Sequence, residues 1–232
     1  MDIKILELIE GADLARGLTI IIDVFRAFTL ECYLFAYGAQ KILPTGSLDE
    51  ARALAALFPD AVTFGERRGA RVEGFDFGNA PSEVAPEDVL QKLVIHTTSA
   101  GTQGLVHAQH ADEIITGSLV NARACARYIR ARAPEQVSIV AMGNQGVSRA
   151  EEDVICACYI KSLLTGETYD VESAVADLPQ GAGAKFLDPL KPEFPANDLP
   201  LCTALDRFDF VIRCEHEQGH LVNRKIEVAS KI

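Results

Sequence analysis

Apolar runs of strand length recur along this chain with helix-length amphipathic stretches between them, an order that few architectures can accommodate. The runs lie at residues 18–24, 41–44, 61–64, 92–97, 113–116, 137–142, 209–214 and 221–228. Stretches with apolar residues at helical spacing occupy 26–37, 48–58, 102–109, 121–133 and 151–164. Such alternation predicts a mainly parallel sheet with helices on both faces, a three-layer α/β/α fold, read as one α/β domain over 1–232. Ser47 with Glu50 and Ser148 with Glu151 fit Ser-x-x-Glu capping boxes and mark two helix starts. Residues 179–200 hold five of the ten prolines together with Gly181 and Gly183, which excludes a continuous helix or a central strand. The segment reads as a surface excursion wrapping the domain, in preference to a lid or dimer arm.

Composition narrows the partners. A net charge of −11 without a compensating Lys/Arg run argues against nucleic acid and anionic membrane. The start Met1-Asp2-Ile3-Lys4 does not resemble an export leader, and Lys, Asp or Glu interrupts every apolar run short of spanning length, so a cytoplasmic protein is expected. The six cysteines are scattered through apolar stretches, as buried free thiols are. Cys156 and Cys158, two apart on a predicted helix, point to different faces and make a poor zinc pair.

In an open α/β sheet, ligands bind outside the carboxyl ends of the strands, where the following helices present unpaired N–H groups. The segments after the predicted strands are rich in polar groups. Asp23-Val24-Phe25-Arg26-Ala27-Phe28-Thr29 sets a carboxylate at a strand end with an arginine just beyond, although Phe25 excludes an Asp-x-Asp-x-Thr phosphatase motif. Gly65-Glu66-Arg67-Arg68-Gly69, and then Gly74 to Glu83 with Asn79, form a glycine-rich charged loop suited to close backbone approach to a ligand. Thr97-Thr98-Ser99-Ala100-Gly101-Thr102 offers hydroxyls at the mouth of a helix; Gly117-Ser118 with Asn121, and Gly143-Asn144-Gln145-Gly146, resemble it more weakly. Glu151-Glu152-Asp153 opens a helix with more acid than a cap requires, and Glu152 and Asp153 with Asp23 could hold a hard cation such as Mg²⁺. His96, inside a strand, reads as a satisfied buried histidine, and His107, His110, His216 and His220 show no metal-ligand spacing.

These segments resemble the 2-phosphosulfolactate phosphatase family. The likeness rests on Ile22-Asp23-Val24-Phe25-Arg26-Ala27, Gly65-Glu66-Arg67, Gly74 to Pro81, Thr97 to Thr102, Gly117-Ser118 with Asn121-Ala122, and Glu152-Asp153 through Cys156-Ala157, in order over about three quarters of the chain. The resemblance implies an α/β/α fold and magnesium-dependent hydrolysis of a phosphate ester on a small sulfonated hydroxyacid, as in coenzyme M biosynthesis. Arg68, Ser99-Ala100 and Cys158 depart from the family pattern, and these departures bear on the substrate more than on the reaction type.

The expected activity is therefore a Mg²⁺-dependent phosphomonoesterase acting on a small phosphorylated or sulfonated acid. Asp23, Arg26, Glu66 and Arg67 are the candidate catalytic residues, with Glu66 as proton shuttle. Asn79, Thr98, Ser99, Thr102, Ser118, Asn121 and Asn144 are candidates for substrate binding, and Asp23, Glu152 and Asp153 for the metal. A homodimer is compatible with the sequence. The competing readings are a sensor that binds a phosphorylated metabolite without turnover, which would not need the spare carboxylates, and a lyase or isomerase on a phosphorylated acid.

Overall fold

The segment Gly17–Ile22 is buried at five successive positions, the mark of a strand covered on both faces. In the computed structural model, which describes residues 1–229, it is one of ten strands. The chain runs β1 (Asp2–Glu7), α1 (Leu8–Leu14), β2 (Gly17–Ile22), α2 (Ala27–Ala36), β3 (Lys41–Thr45), α3 (Leu48–Leu57), β4 (Val62–Arg67) and β5 (Ala70–Arg71). It continues through α4 (Pro86–Val89), β6 (Leu93–Thr97), α5 (Gly101–His107), β7 (Ala111–Gly117), α6 (Ala122–Arg132), β8 (Gln136–Ala141) and α7 (Glu151–Thr165). Two short helices, α8 (Val171–Asp177) and α9 (Asp198–Cys202), precede the hairpin of β9 (Phe210–Glu217) and β10 (His220–Glu227).

The result is an α/β protein with a mostly parallel sheet and helices on both faces. Alternate residues of β2 show the layering. Leu18, Ile20 and Ile22 pack with apolar residues of α6 and α7, while Ile21 packs with Ala12 of α1 and Leu105 of α5. Helix α2 is buried at nine of its ten positions, so it lies between packed surfaces and has no solvent face. It carries one acid, Glu31, into that apolar setting.

The strand order is β1-β8-β2-β7-β9-β10-β3-β6-β4-β5. Pairing is parallel within β1/β8/β2/β7 and within β3/β6/β4. It is antiparallel at β7/β9, β9/β10 and β10/β3. Three successive reversals leave the two parallel blocks running in opposite senses. The C-terminal hairpin inserts between β7 and β3, strands well separated in the order of the chain, and no local pattern announces that. The carboxyl ends of the two blocks still meet, because the Gly101 N–H at the start of α5 donates to Asp23 Oδ2, just past β2, at 2.8 Å.

One predicted helix start forms and the other does not. The Glu50 N–H donates to Ser47 Oγ at 3.1 Å, and the Glu50 carboxylate accepts from Gly46 N–H. Helix α7 instead begins after Ala150 with no side-chain cap, so Glu151 is not committed to a box with Ser148. The Ser148 carbonyl accepts from Asn144 N–H across a tight turn. That turn requires glycine at 143, where φ is +69° and a Cβ would lie 2.2 Å from the Ser148 carbonyl oxygen.

Candidate functional site

A cavity of ≈ 340 Å³ opens where the carboxyl ends meet. Asp23, Phe25 and Arg26 enter from the end of β2, Glu66, Arg68 and Gly69 from the end of β4, and Ser99 and Ala100 from the end of β6. Asn79 and the segment Gly143-Asn144-Gln145 complete the loops, and Glu152 and Asp153 enter from the first turn of α7. Lys185, Lys191, Glu193 and Phe194, from the proline-rich excursion, form the remaining wall.

Backbone N–H groups fix the acids. Asp23 accepts from Ala27 N–H at 3.1 Å and Gly101 N–H at 2.8 Å, at the starts of α2 and α5. Asp153 accepts from Val24 N–H and Gly143 N–H, both at 2.8 Å, and so ties α7 to the ends of β2 and β8. Asp153 thus has a structural duty that spacing did not reveal. Glu66 accepts from Gly69 N–H at 2.7 Å, Ser99 N–H at 2.6 Å and the Ser99 hydroxyl at 3.3 Å, joining two loops. Glu152 differs, since Oε1 lies 3.9 Å from Lys185 Nζ while Oε2 is buried with no partner among the described residues.

Burial shifts the titration of Asp23, Glu152 and Asp153. Burial, opposed by the Ala27 N–H and reinforced by the charge on Glu66, raises Asp23 to about 6. Burial and the neighbouring charges of Asp23 and Glu152 push Asp153 well above the usual carboxylate range. Burial also raises Glu152, against the pull of Lys185. Five carboxylates face four cationic side chains in the cavity, and one of those cations, Arg26, is already paired with Asp198 outside it. A multiply charged anion therefore needs a further positive charge here.

The donor set suits a hard cation. It consists of carboxylate oxygens, one of them unpartnered, under mutual repulsion that a cation would relieve. Among the described residues no three Asp, Glu, His or Cys side chains form a ready-made metal cage. Mg²⁺ is held elsewhere through one or two carboxylates, waters and substrate phosphate oxygens, so the residues present fit that mode.

Other candidates lie differently from the sequence expectation. Arg26 is 2% exposed; it donates to Asp198 Oδ2 at 2.8 Å, Glu193 O at 2.9 Å and Gly69 O at 3.1 Å. Its guanidinium lies 4.9 Å from the Phe194 ring centroid. It is thus largely a strut between the excursion and the β4–β5 turn. Arg67 turns to Thr97 Oγ1 at 3.1 Å and to the Glu66 carbonyl, and its neighbour Arg68 lines the cavity instead. Thr98 and Thr102 cap each other, through Thr98 N–H to Thr102 Oγ1 at 2.9 Å and the reverse bond at 3.1 Å. Ser118 and Asn121 are occupied similarly: the Ser118 N–H donates to Asn121 Oδ1 at 3.0 Å, and the Ser118 hydroxyl meets that of Thr29. None of these four residues lines the cavity. Asn79, Ser99 and Asn144 do line it.

Sequence reasoning missed Lys185, Lys191 and Arg68. Lys185 Nζ sits 5.2–5.6 Å from the ring centroids of Phe25, Phe186 and Phe194, an arrangement that holds a cation by its attraction to aromatic faces. The available signal was that two lysines and two phenylalanines punctuate an otherwise proline-rich stretch. A larger groove of ≈ 810 Å³ lies elsewhere, beside the end of α5 and β9. It contains none of the predicted site residues, and its Arg132 and Arg213 are paired with Glu113 and Glu215.

Comparison with known proteins gives one consistent result. A family model described as 2-phosphosulpholactate phosphatase matches residues 3–217. A probable 2-phosphosulfolactate phosphatase of Bacillus subtilis is 31% identical over 204 residues, covering 86% of this chain and 88% of the relative. One from Caldanaerobacter subterraneus is 32% identical, covering 88% and 90%, and one from Gloeobacter violaceus is 38% identical over 68% and 67%.

Proposed function

Because the chain belongs to the 2-phosphosulfolactate phosphatase family, we propose that its cavity hydrolyses the phosphate monoester of a small sulfonated or carboxylated hydroxyacid, 2-phosphosulfolactate foremost, with the help of Mg²⁺. Among the described residues no helix is long and apolar enough to cross a membrane. The observation that carries the reading is the unpartnered, buried Oε2 of Glu152 in the same cavity as Asp23 and Asp153. A buried carboxylate oxygen without a partner is costly, and Asp23 and Asp153, each held by two backbone N–H groups, set two further buried acids beside it. Glu152 and Asp153 are the residues to hold the metal, with Asp23 beside them. When bound, Mg²⁺ would polarise a phosphoryl oxygen and offset the charge of the anion.

The chain's own residues account for the rest. Lys185, Lys191 and Arg68 supply cations for the sulfonate or carboxylate and for the phosphate oxygens not facing the acids. Asp23, raised to about 6 by burial in the metal-free protein, is the residue we assign to carry the proton between attacking water and departing hydroxyl. In that step a P–O bond forms to water, the ester P–O bond breaks, and the released hydroxyacid takes up a proton. Glu66, held by three donors, fixes the Ser99 loop against the β4–β5 turn, and we assign the shuttle to Asp23 in its place.

The test is phosphate release from a panel of phosphorylated C3 acids, phosphosulfolactate and phosphoglycerates among them, with Mg²⁺ and with excess chelator. Turnover of at least one member, lost on metal removal, is expected. Full turnover in metal-stripped protein would refute the role of magnesium, and no turnover of any member would refute the reaction class.

A further inference from the structure

A chain of buried polar side chains crosses the molecule from the C-terminal hairpin to the cavity. Asn223 Nδ2, on β10, donates to Glu31 Oε2 at 2.7 Å. Glu31 Oε1, on α2, meets His96 Nδ1, on β6, at 2.9 Å. His96 Nε2 meets Asn79 Oδ1 at 3.2 Å. Glu31, His96 and Asn223 are wholly buried, and Asn79, 5% exposed, is the one member of the chain that lines the cavity.

We propose that Glu31 and His96, neither of which touches the cavity, are positioning residues that hold the Asn79 amide with its oxygen turned inward and its NH₂ presented to an anionic oxygen of the substrate. The proposal rests on the reading of the cavity as a phosphate-ester site.

Both ring nitrogens of His96 face oxygen acceptors, Glu31 Oε1 on one side and Asn79 Oδ1 on the other. The proposal assigns a hydrogen to each of the two nitrogens, with the Glu31 carboxylate as the counter-ion of the ring. The pair is neutral as a unit, which lets both charges persist without exposure. Turning the Asn79 amide round would point its oxygen into a cavity bearing five carboxylates and receiving an anion. In the orientation observed, Asn79 Nδ2 has no hydrogen-bond partner among the described residues, and the imidazolium behind the amide polarises it as a donor. Glu31 otherwise interrupts the apolar run Phe28 to Phe35 of α2. A leucine would pack there at less cost, so the acid has a purpose other than packing.

Two measurements test this. In wild-type protein with ¹⁵N-labelled histidine, both His96 nitrogens should carry hydrogen, and in Glu31→Gln one should lose it. A neutral, singly protonated His96 in the wild type overturns the proposal whatever the activity. In steady-state assays of folded protein, Glu31→Gln and His96→Gln should raise KM about tenfold, the size of one lost hydrogen bond to a charged group, with kcat within about threefold. Asn79→Asp, which puts a carboxylate where the NH₂ stood, should raise KM further. A fall in kcat with KM unchanged, or Asn79→Asp indistinguishable from wild type, also overturns it. If no phosphorylated acid is turned over, calorimetric binding of inorganic phosphate takes the place of KM, and weaker binding by Asn79→Asp still supports the orientation of the amide. The failure of the phosphatase reading is thereby separable from the failure of this one.

Discussion

Removing Arg26 exposes a structural dependence that the sequence did not reveal. Its guanidinium is paired with Asp198 at 2.8 Å, with side chains 2% and 0% exposed. Replacing it by alanine leaves the Asp198 carboxylate buried with only the Ser82 N–H as donor. Breaking such a pair on one side costs about 3–5 kcal/mol. That is a large part of the ~5–15 kcal/mol that holds a typical domain together. The loss also frees the Glu193 and Gly69 carbonyls and the Phe194 ring, so the wall carrying Lys185 should lift away from the acids. Urea denaturation followed by far-UV circular dichroism measures the effect, since the chain has no tryptophan to report by fluorescence. Arg26→Ala should lose about 3–5 kcal/mol at unchanged m-value and most of its turnover per folded molecule. Arg26→Met with Asp198→Asn leaves no buried charge and should recover at least half of the stability. A single-variant loss under about 1 kcal/mol, or a double variant no more stable than the single, would refute the argument from charge burial.

Two further outcomes follow from the acids. Asp23 titrates at about 6 in the folded protein against 3.8 in an exposed chain. The folded state therefore holds the extra proton between those values, and this residue's contribution to stability falls as pH rises from about 4 to 6, by at most about 3 kcal/mol. The stability difference between Asp23→Asn and wild type in chelator should grow over that window, and the rise in Tm on adding Mg²⁺ to wild type should be largest above pH 6; a difference that does not vary with pH would contradict the assignment. Asp153→Asn should abolish most Mg²⁺-dependent turnover and cost about 1–3 kcal/mol, because an amide cannot accept from both Val24 and Gly143 N–H. Glu151→Gln, exposed at the helix start, should stay within about 0.5 kcal/mol and near normal activity; a larger activity loss in Glu151→Gln, or an unchanged Mg²⁺ requirement in Asp153→Asn, would count against the metal site.

The sequence by itself determined the layers and much of the cavity floor. The apolar run 18–24 reads as a strand, and its part up to Ile22 is one covered on both faces. Periodicity records the burial of each residue against its near neighbours, and for that reason it is legible locally. Asp23, Glu66, Ser99, Glu152 and Asp153 were identified because ligands gather after strand ends, and all five line one cavity. Only the tertiary structure decided which polar groups were free to act. Thr98, Thr102, Ser118 and Asn121 carry the same chemistry in sequence as Ser99 and Asn144, but they are turned to neighbouring loop groups and away from the cavity. Arg26 is committed to Asp198, 172 residues away, and His96 to Glu31, 65 residues away. Lys185 joins the site because the excursion folds back over it, and the two sheet blocks are separated by a hairpin from the far end of the chain. A side chain's spacing fixes the face on which it lies, but its hydrogen-bond partner and its charge environment come from segments distant in sequence, and nothing in a local pattern encodes those.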